Sequence, residues 1–516
     1  GFGGFFMHSR VGLATPYLSK EWFDLVRACV GEAKKNKMEA WLYDEDRWPS
    51  GAGGGFVTRR PEYRMKYLEM KVLDQGSRPD GDGNPVALFD VKLRSGKLVS
   101  MERVRGSRPP PVKSSKRLAF AWKTQPENSW YNGQTYLDVL NPEAVKEFIR
   151  VTHEAYRGKF RGEFGRAIPG IFTDEPNFCS GLPQGNVLPW TQRLPQAFRK
   201  RYGYDLLDHL PEIFFQKEGD EFSRVRYHYV DCLTWLFTDS FSRQIGEWCG
   251  KNKLLFTGHV LAEDSLSSQA RFVGSAMRFY EHMQAPGMDL LTEYWRIYDT
   301  AKQVSSVARQ LGRRWRLTET DGCTGWDFSF AGHKALGDWQ AAMGINVRCP
   351  HLSWYTMEGQ AKRDYPASIF YQSPWWKDYR IIEDYFARIH AVMTRGGEIR
   401  DLLVISPIES LWGAGAMASA ADRPGSYDAP DIVRHDLRLK EIRDALLSNH
   451  IDFDYGDEEI MAGHGRVSSG AGTRLVIGKA SYKAVLVPPA TTIRSTTLTL
   501  LKRFRAAGGQ VVFLDK

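Results

Sequence analysis

The sequence predicts an α/β protein: a (β/α)8 TIM-like barrel with a small β insertion, followed by a flavodoxin-like α/β domain. Three observations lead there. Short apolar strands alternate with helical stretches up to about residue 400, the rhythm of a parallel barrel. Those strands end, one after another, in ionisable or aromatic residues, and the C-terminal lip of a barrel strand is where chemistry is placed. Beyond Arg400 the rhythm restarts with a new apolar strand, Leu402–Ser406.

Gly3–His8 reads as the first strand. Ser19–Lys35 reads as a helix with Ser19 as N-cap, because Phe23, Val26 and Val30 follow at helical spacing. Glu39–Tyr43 is the next strand, and residues 44–55 form a polar, glycine-rich loop. From Arg59 to Lys123 the period becomes two: Leu68, Met70 and Val72 alternate with Glu69 and Lys71, and Arg94-Ser-Gly-Lys97 reads as a hairpin turn. This is the antiparallel insertion. Asn141-Pro-Glu143 opens a helix with proline in its first turn. Strands follow at Ile168–Thr173, Leu254–Val260, Met288–Glu293, Trp315–Glu319 and Ile345–Leu352, with a long helical region from Leu194 to about Lys251.

That gives seven strands where such a barrel uses eight. The missing one is expected to be the first, upstream of Gly1. In the second domain, the strand Ala484–Pro488, a helix over Ser495–Ala507 and the strand Val511–Leu514 complete a doubly wound pattern. The barrel is expected over 1–400 with its insertion at 59–123. The second domain, amidotransferase-like and cut short at its C-terminus, is expected over 401–516. Glutaminase chemistry needs a cysteine nucleophile. All six cysteines lie at or before Cys349, so this domain is expected to serve as scaffold or oligomer contact.

Composition bounds the function. Hydrophobic content of 42% and charged content of 25% are ordinary for a globular protein. The aromatic share of 13%, with 16 Trp, suits sugar-stacking platforms as well as large aromatic cores. No run of 18 apolar residues is present, and no signal peptide is visible, which leaves a bacterial cytoplasm or periplasm open. The cysteines show no zinc spacing and read as buried thiols. The net charge of +9 is local: residues 59–123 hold 16 Lys+Arg against 7 Asp+Glu, so the remainder is near neutral. Without a nucleic-acid-binding motif this reads as a solvated surface rather than a DNA or RNA site.

The strand ends carry the chemistry. In order they present His8 and Arg10; Asp44, Glu45, Asp46 and Trp48; Asp174 and Glu175; His259; Glu293 and Tyr294; Glu319, with Asp321 and Trp326 beyond; then His351 and Trp354. Glu175 and Glu319 each close an apolar strand, and paired carboxylates across a cleft are the machinery of glycoside hydrolysis. Taken singly, either glutamate also reads as a capping or salt-bridged group, and Asp321 is a rival to Glu319. The run Asp44–Asp46 reads as hydroxyl ligands, as a Ca²⁺ site or as partly solvated acids. His8 and His259 also fit a core role, and Trp326 and Trp354 fit packing at the barrel mouth. The ring as a whole is what sugars require, since each hydroxyl both donates and accepts.

The segments Gly3–Arg10, Trp41–Asp46, Trp48–Gly51, Tyr136–Pro142 and Phe172–Pro176 resemble bacterial glycosyl hydrolases related to the family 106 α-L-rhamnosidases. The plan of a barrel followed by an amidotransferase-like domain is similar to the clan A family 42 β-galactosidases. The resemblance implies that Glu175 is the acid after strand 4 and Glu319 the carboxylate after strand 7. Clan A enzymes carry Asn before the strand-4 glutamate, where this chain has Asp174; family 106 would instead imply inversion.

The expectation is therefore a glycoside hydrolase acting on a terminal sugar of a plant or host glycan, α-L-rhamnosidase- or β-galactosidase-like. No cofactor is required, the partner is an oligo- or polysaccharide, and a homo-oligomer is compatible. The competing class is a carbohydrate-binding protein without catalysis.

Overall fold

The computed structural model describes residues 2–10, 12–73, 83–106, 115–292, 294, 297–353, 358, 365, 369–414, 430–468 and 472–514. Seven parallel strands form the central sheet in chain order: β1 (Gly4–Met7), β2 (Glu39–Tyr43), β3 (Gly170–Asp174), β4 (Leu255–His259), β5 (Ala285–Asp289), β6 (Leu317–Thr320) and β7 (Val347–Pro350). Helices separate them, giving a nearly closed TIM-like barrel. Between β7 and β1 no strand is present among the described residues. A cavity of about 480 Å³ opens there, lined by Phe5 and Phe6 on one side and Cys349 and Pro350 on the other.

Local chemistry accounts for the elements. The Ser19 side chain accepts from Trp22 N at 3.1 Å and starts the helix Lys20–Lys35, which buries Trp22, Phe23, Val26 and Val30. Asn141 caps Pro142–Phe148 in the same way. That helix passes through a π-turn at Ile149–His153, which turns His153 inward until its Nε2 lies 3.7 Å from Asp44 Oδ2. Inside the barrel, Tyr43, Phe172 and Leu317 pack together with Phe6, Val347 and Cys349 around them. Gly51 sits at φ +129 with the Tyr136 ring 3.2 Å from where a Cβ would stand, so neither conformation nor space admits a side chain there.

The insertion is a five-stranded antiparallel sheet. Lys66–Leu73, Asn84–Arg94, Lys97–Val104 and Lys116–Thr124 come from the predicted region. The hairpin is closed by Ser95 (φ 49) and Gly96 (φ 76), a two-residue turn with both central residues left-handed. The fifth strand, Val187–Trp190, arrives from beyond β3 and pairs with Lys66–Glu69 at the sheet edge. The helical region after it is broken into Leu194–Tyr202, Leu210–Phe214 and Arg224–Lys251, the last with a π-turn at Thr238–Arg243.

The second α/β unit holds four parallel strands, β8 (Leu402–Ile405), β9 (Phe453–Gly456), β10 (Ala484–Val487) and β11 (Gln510–Phe513), in the order β9-β8-β10-β11. A buried ionic knot joins it to the barrel. Arg278 donates to Asp231 (3.1 Å), to Asp457 (3.0 Å) and to Glu409, and Arg494 contacts Asp231 and Glu409 as well.

Candidate active site

The C-terminal ends of the strands place a ring of carboxyl and imidazole groups over the barrel. β3 delivers Asp174 and then Glu175, whose φ of 49 turns the chain sharply out of the strand. Parallel pairing sets Asp174 beside His259 and Asp289 beside Glu319. His259 is fully buried, and its Nε2 lies 2.9 Å from Glu319 Oε2 and 3.8 Å from Asp174 Oδ1. Burial lowers the His259 pKa, so the ring is neutral and shares a hydrogen bond with Glu319 at Nε2. On the other side of Glu319, His351 Nε2 stands 3.3 Å from Oε1 and 3.2 Å from Arg10 Nη1.

Asp174 is fixed from several directions. Tyr43 OH donates to its Oδ2 at 2.8 Å, and its backbone N–H donates to Ser50 Oγ at 2.8 Å. Tyr43 is stacked between His8 (3.9 Å) and Phe172 (4.6 Å). His8 in turn reaches Glu45 Oε1 at 3.2 Å. Glu175 Oε2 accepts from the indole N–H of Trp48 at 2.6 Å.

Electrostatics follow from packing many acids into one dry space. Burial, then the Glu45 charge, pushes Asp174 up to about 7. Burial raises Glu45 to about 8. Glu175 is held well above the usual carboxylate range by burial and then by Asp289 and Asp174. Glu319 is raised by burial and Asp174, with Arg10 opposing. Asp289 is raised by burial and then by Glu319.

The structure thus brings His8, Arg10, Glu45, Trp48, Asp174, Glu175, His259, Glu319 and His351 together. Other expected residues go elsewhere. Asp44 lies beneath the site, accepting from Ser50 Oγ at 2.6 Å and raised by burial to about 7. Asp46 is spent on Gly54 N (2.8 Å) and Asn132 Nδ2 (2.9 Å), so it ties loops together. The three carboxylates of Asp44–Asp46 therefore diverge, because successive residues leave the chain on different sides, and of the readings open for this run the shared Ca²⁺ site is not the one their partners support. Tyr294 is 82% exposed, and Trp326 is exposed on the loop after β6. Glu293 and Trp354 lie outside the described residues. Asp321, the rival to Glu319, is bound to Arg348 at 3.0 Å and faces His333, a structural pair.

Asp289 is the residue that sequence reasoning missed. β5 stops at Asp289, four residues before the expected end, because the apolar run Leu290-Leu291 continues past the barrel lip. The signal was the polar residue after Pro286-Gly-Met288. Two groups can offer ligands to a cation, Asp174–His259–Glu319 and Glu175–His259–Asp289, the ligand atoms in each lying within 4.8 Å of one another. Such mixed nitrogen and carboxylate sets suit a divalent ion.

No protein-family model matches the chain. A curated protein of Formosa agariphila with a provisional beta-glucuronidase name is 25% identical over 454 residues, 76% of this chain and 37% of that protein. Among solved structures, a rhamnosidase from Novosphingobium sp. PP1Y aligns with a TM-score of 0.63 at 15% identity, covering 97% of this chain and 64% of that one. A β-galactosidase from Halorubrum lacusprofundi gives a TM-score of 0.57 at 14% identity over 99% of this chain and 68% of its own. The chain thus spans little more than a third of the curated relative and about two thirds of these structures. Its fold is the fold of these glycosidase structures.

Proposed function

We propose that the chain is a glycoside hydrolase that removes a terminal sugar, with Glu175 as general acid and Glu319 as the opposing carboxylate. The observation that carries this is the convergence of the two glutamates, from the ends of β3 and β6, on one buried ring with Asp174, His259 and His351. The environments of the two divide the roles. Glu175 has a single donor, the Trp48 indole, and is kept protonated by burial and by neighbouring acids, as a proton donor to the glycosidic oxygen must be. Glu319 is raised as well, by burial and then by Asp174, but the opposing Arg10 charge and the His259 contact favour it as the carboxyl that gives up its proton. As the anion it attacks the anomeric carbon or takes a proton from water. The substrate class is a neutral terminal sugar of the α-L-rhamnoside or β-galactoside kind on an oligo- or polysaccharide.

Glu175→Gln tests the assignment. It should lower turnover of an aryl glycoside by at least about 10²-fold with an unchanged far-UV spectrum. Unaltered turnover would dismiss Glu175 as the acid. A second reading, sugar binding without turnover, is favoured by the Glu319 carboxyl being raised by burial and Asp174, which opposes the anion that a nucleophile or base must be. Calorimetric binding without hydrolysis across a glycoside panel would select it.

A further inference from the structure

We propose that Asp289 is a further substrate-contacting residue, accepting a hydrogen bond from a hydroxyl of the sugar held between Glu175 and Glu319. The inference rests on the reading of this ring as a sugar site and adds to it a residue with a defined role.

Three observations carry it. Asp289 ends β5, between His259 at the end of β4 and Glu319 on β6, so it sits on the rim between the two glutamates. Its backbone is already fixed, since its N–H donates to Glu263 Oε1 at 2.6 Å, and Glu263 is itself anchored by the Tyr280 hydroxyl. Its Oδ1 is buried and has no hydrogen-bond partner, and the buried Nδ1 of His259 has none either. Buried polar atoms in folded proteins almost always have partners, so an immobile acceptor left open at a site points to something that binds there.

Distance decides what kind of contact this is. Glu175, His259 and Asp289 present ligand atoms all within 4.8 Å of one another. Glu319, on the far side of Asp289 along the sheet, keeps the place of the opposing carboxylate in the proposed reading, and Asp289 faces Glu175 across a gap of hydrogen-bonding size. A hydroxyl oxygen about 2.8 Å from each of two acceptors spans up to about 5.6 Å, so one hydroxyl bridges this gap. The hydroxyl donates to one carboxylate, and its lone pair receives the proton-bearing partner. The same carboxylate raises the Glu175 pKa, which is consistent with close facing.

The test compares Asp289→Ala and Asp289→Asn with the wild-type protein on a panel of aryl glycosides, with melting temperature and calorimetric binding of L-rhamnose and D-galactose alongside. Alanine removes the acceptor and should lower kcat/KM by about 10²-fold, or weaken sugar binding tenfold or more. Asparagine keeps a carbonyl oxygen and should lose less than alanine. Both melting temperatures should match or exceed the wild-type value, because a repelling buried carboxylate has been removed; a merely structural residue would lower them. Equal kcat/KM and equal sugar affinity in Asp289→Ala would overturn the proposal. So would loss of wild-type activity in EDTA, restored by Ca²⁺ and accompanied by loss of bound metal in Asp289→Ala, since Asp289 would then be a metal ligand. If the wild-type protein hydrolyses nothing yet binds a sugar, the hydrolase reading falls and Asp289 is judged on binding alone. If it binds no sugar of the panel, both fall.

Discussion

Replacing Arg278 by methionine should destabilise the junction between the barrel and the second α/β unit by an amount the structure lets us work out. Arg278 is 4% exposed and serves three buried carboxylates. Arg494 also serves Asp231 and Glu409, so those two keep a cation after the substitution. Asp457 has no direct contact with Arg494: it retains Ser275 Oγ (2.9 Å), the N–H groups of its own helix start and the more distant Arg494 charge. One buried carboxylate therefore loses its cation, which costs about 3–5 kcal/mol. At about 2.1 cal/mol/K per residue, the whole 516-residue chain melting as one unit would move by about 1 °C per kcal/mol, or about 3–5 °C. If residues 401–516 melted alone, the same loss would move their transition by about 12–20 °C. Scanning calorimetry reads both cases. Arg278 holds Asp457 below the usual carboxylate range, so its stabilisation is present above the unfolded pKa and is lost on acidification. The gap between mutant and wild type should then hold down to about pH 4 and narrow below it. A shift under 1 °C at pH 7, with no pH dependence, would refute the reasoning.

Two further outcomes are expected. Glu45 is raised from 4.5 to about 8 on folding, so between those values the folded state holds more protons and stability falls as pH rises, levelling above about 8. Glu45→Gln should make the fall in melting temperature between pH 5 and 8 shallower; an unchanged slope would count against this assignment of the proton. Trp48→Phe removes the 2.6 Å indole bond to Glu175, which favours the anion that Glu175 becomes as it gives up its proton, a contact worth about 1.5–3 kcal/mol in that form. It should cost about tenfold or more in kcat/KM for glycosides with poor leaving groups while sparing dinitrophenyl glycosides, which need little protonation; equal losses on both would show that Trp48 acts on the fold instead.

Much of the barrel was legible because its strands are short apolar runs with polar ends, and six of the seven lie within a few residues of expectation. β5 was misjudged because hydrophobicity does not mark where a strand leaves the barrel: Leu290 and Leu291 continue the run after pairing ends at Asp289. Asp44, Glu45 and Asp46 were indistinguishable as letters. Their different fates depend on Ser50, His8 and Gly54, partners that only the folded chain brings near. The strand Val187–Trp190 was invisible for a related reason. It is four residues long, contains Pro189 and owes its existence to an edge contributed from 120 residues earlier in the sequence, where proline is tolerated.

That edge strand has a mechanical consequence. The loop carrying Glu175 leaves the barrel at β3, is held on its way by Phe178 N on Phe272 O (3.1 Å), and joins the insertion sheet at Val187. The loop carrying Trp48 leaves at β2 and enters the same sheet at Lys66. Both loops thus run from the barrel to the same sheet, where Lys66 and Trp190 are paired. The wall of the cleft that carries Trp48 and Glu175 is thus anchored partly outside the barrel, whereas Glu319 is held by the strand ends themselves, through His259 and His351.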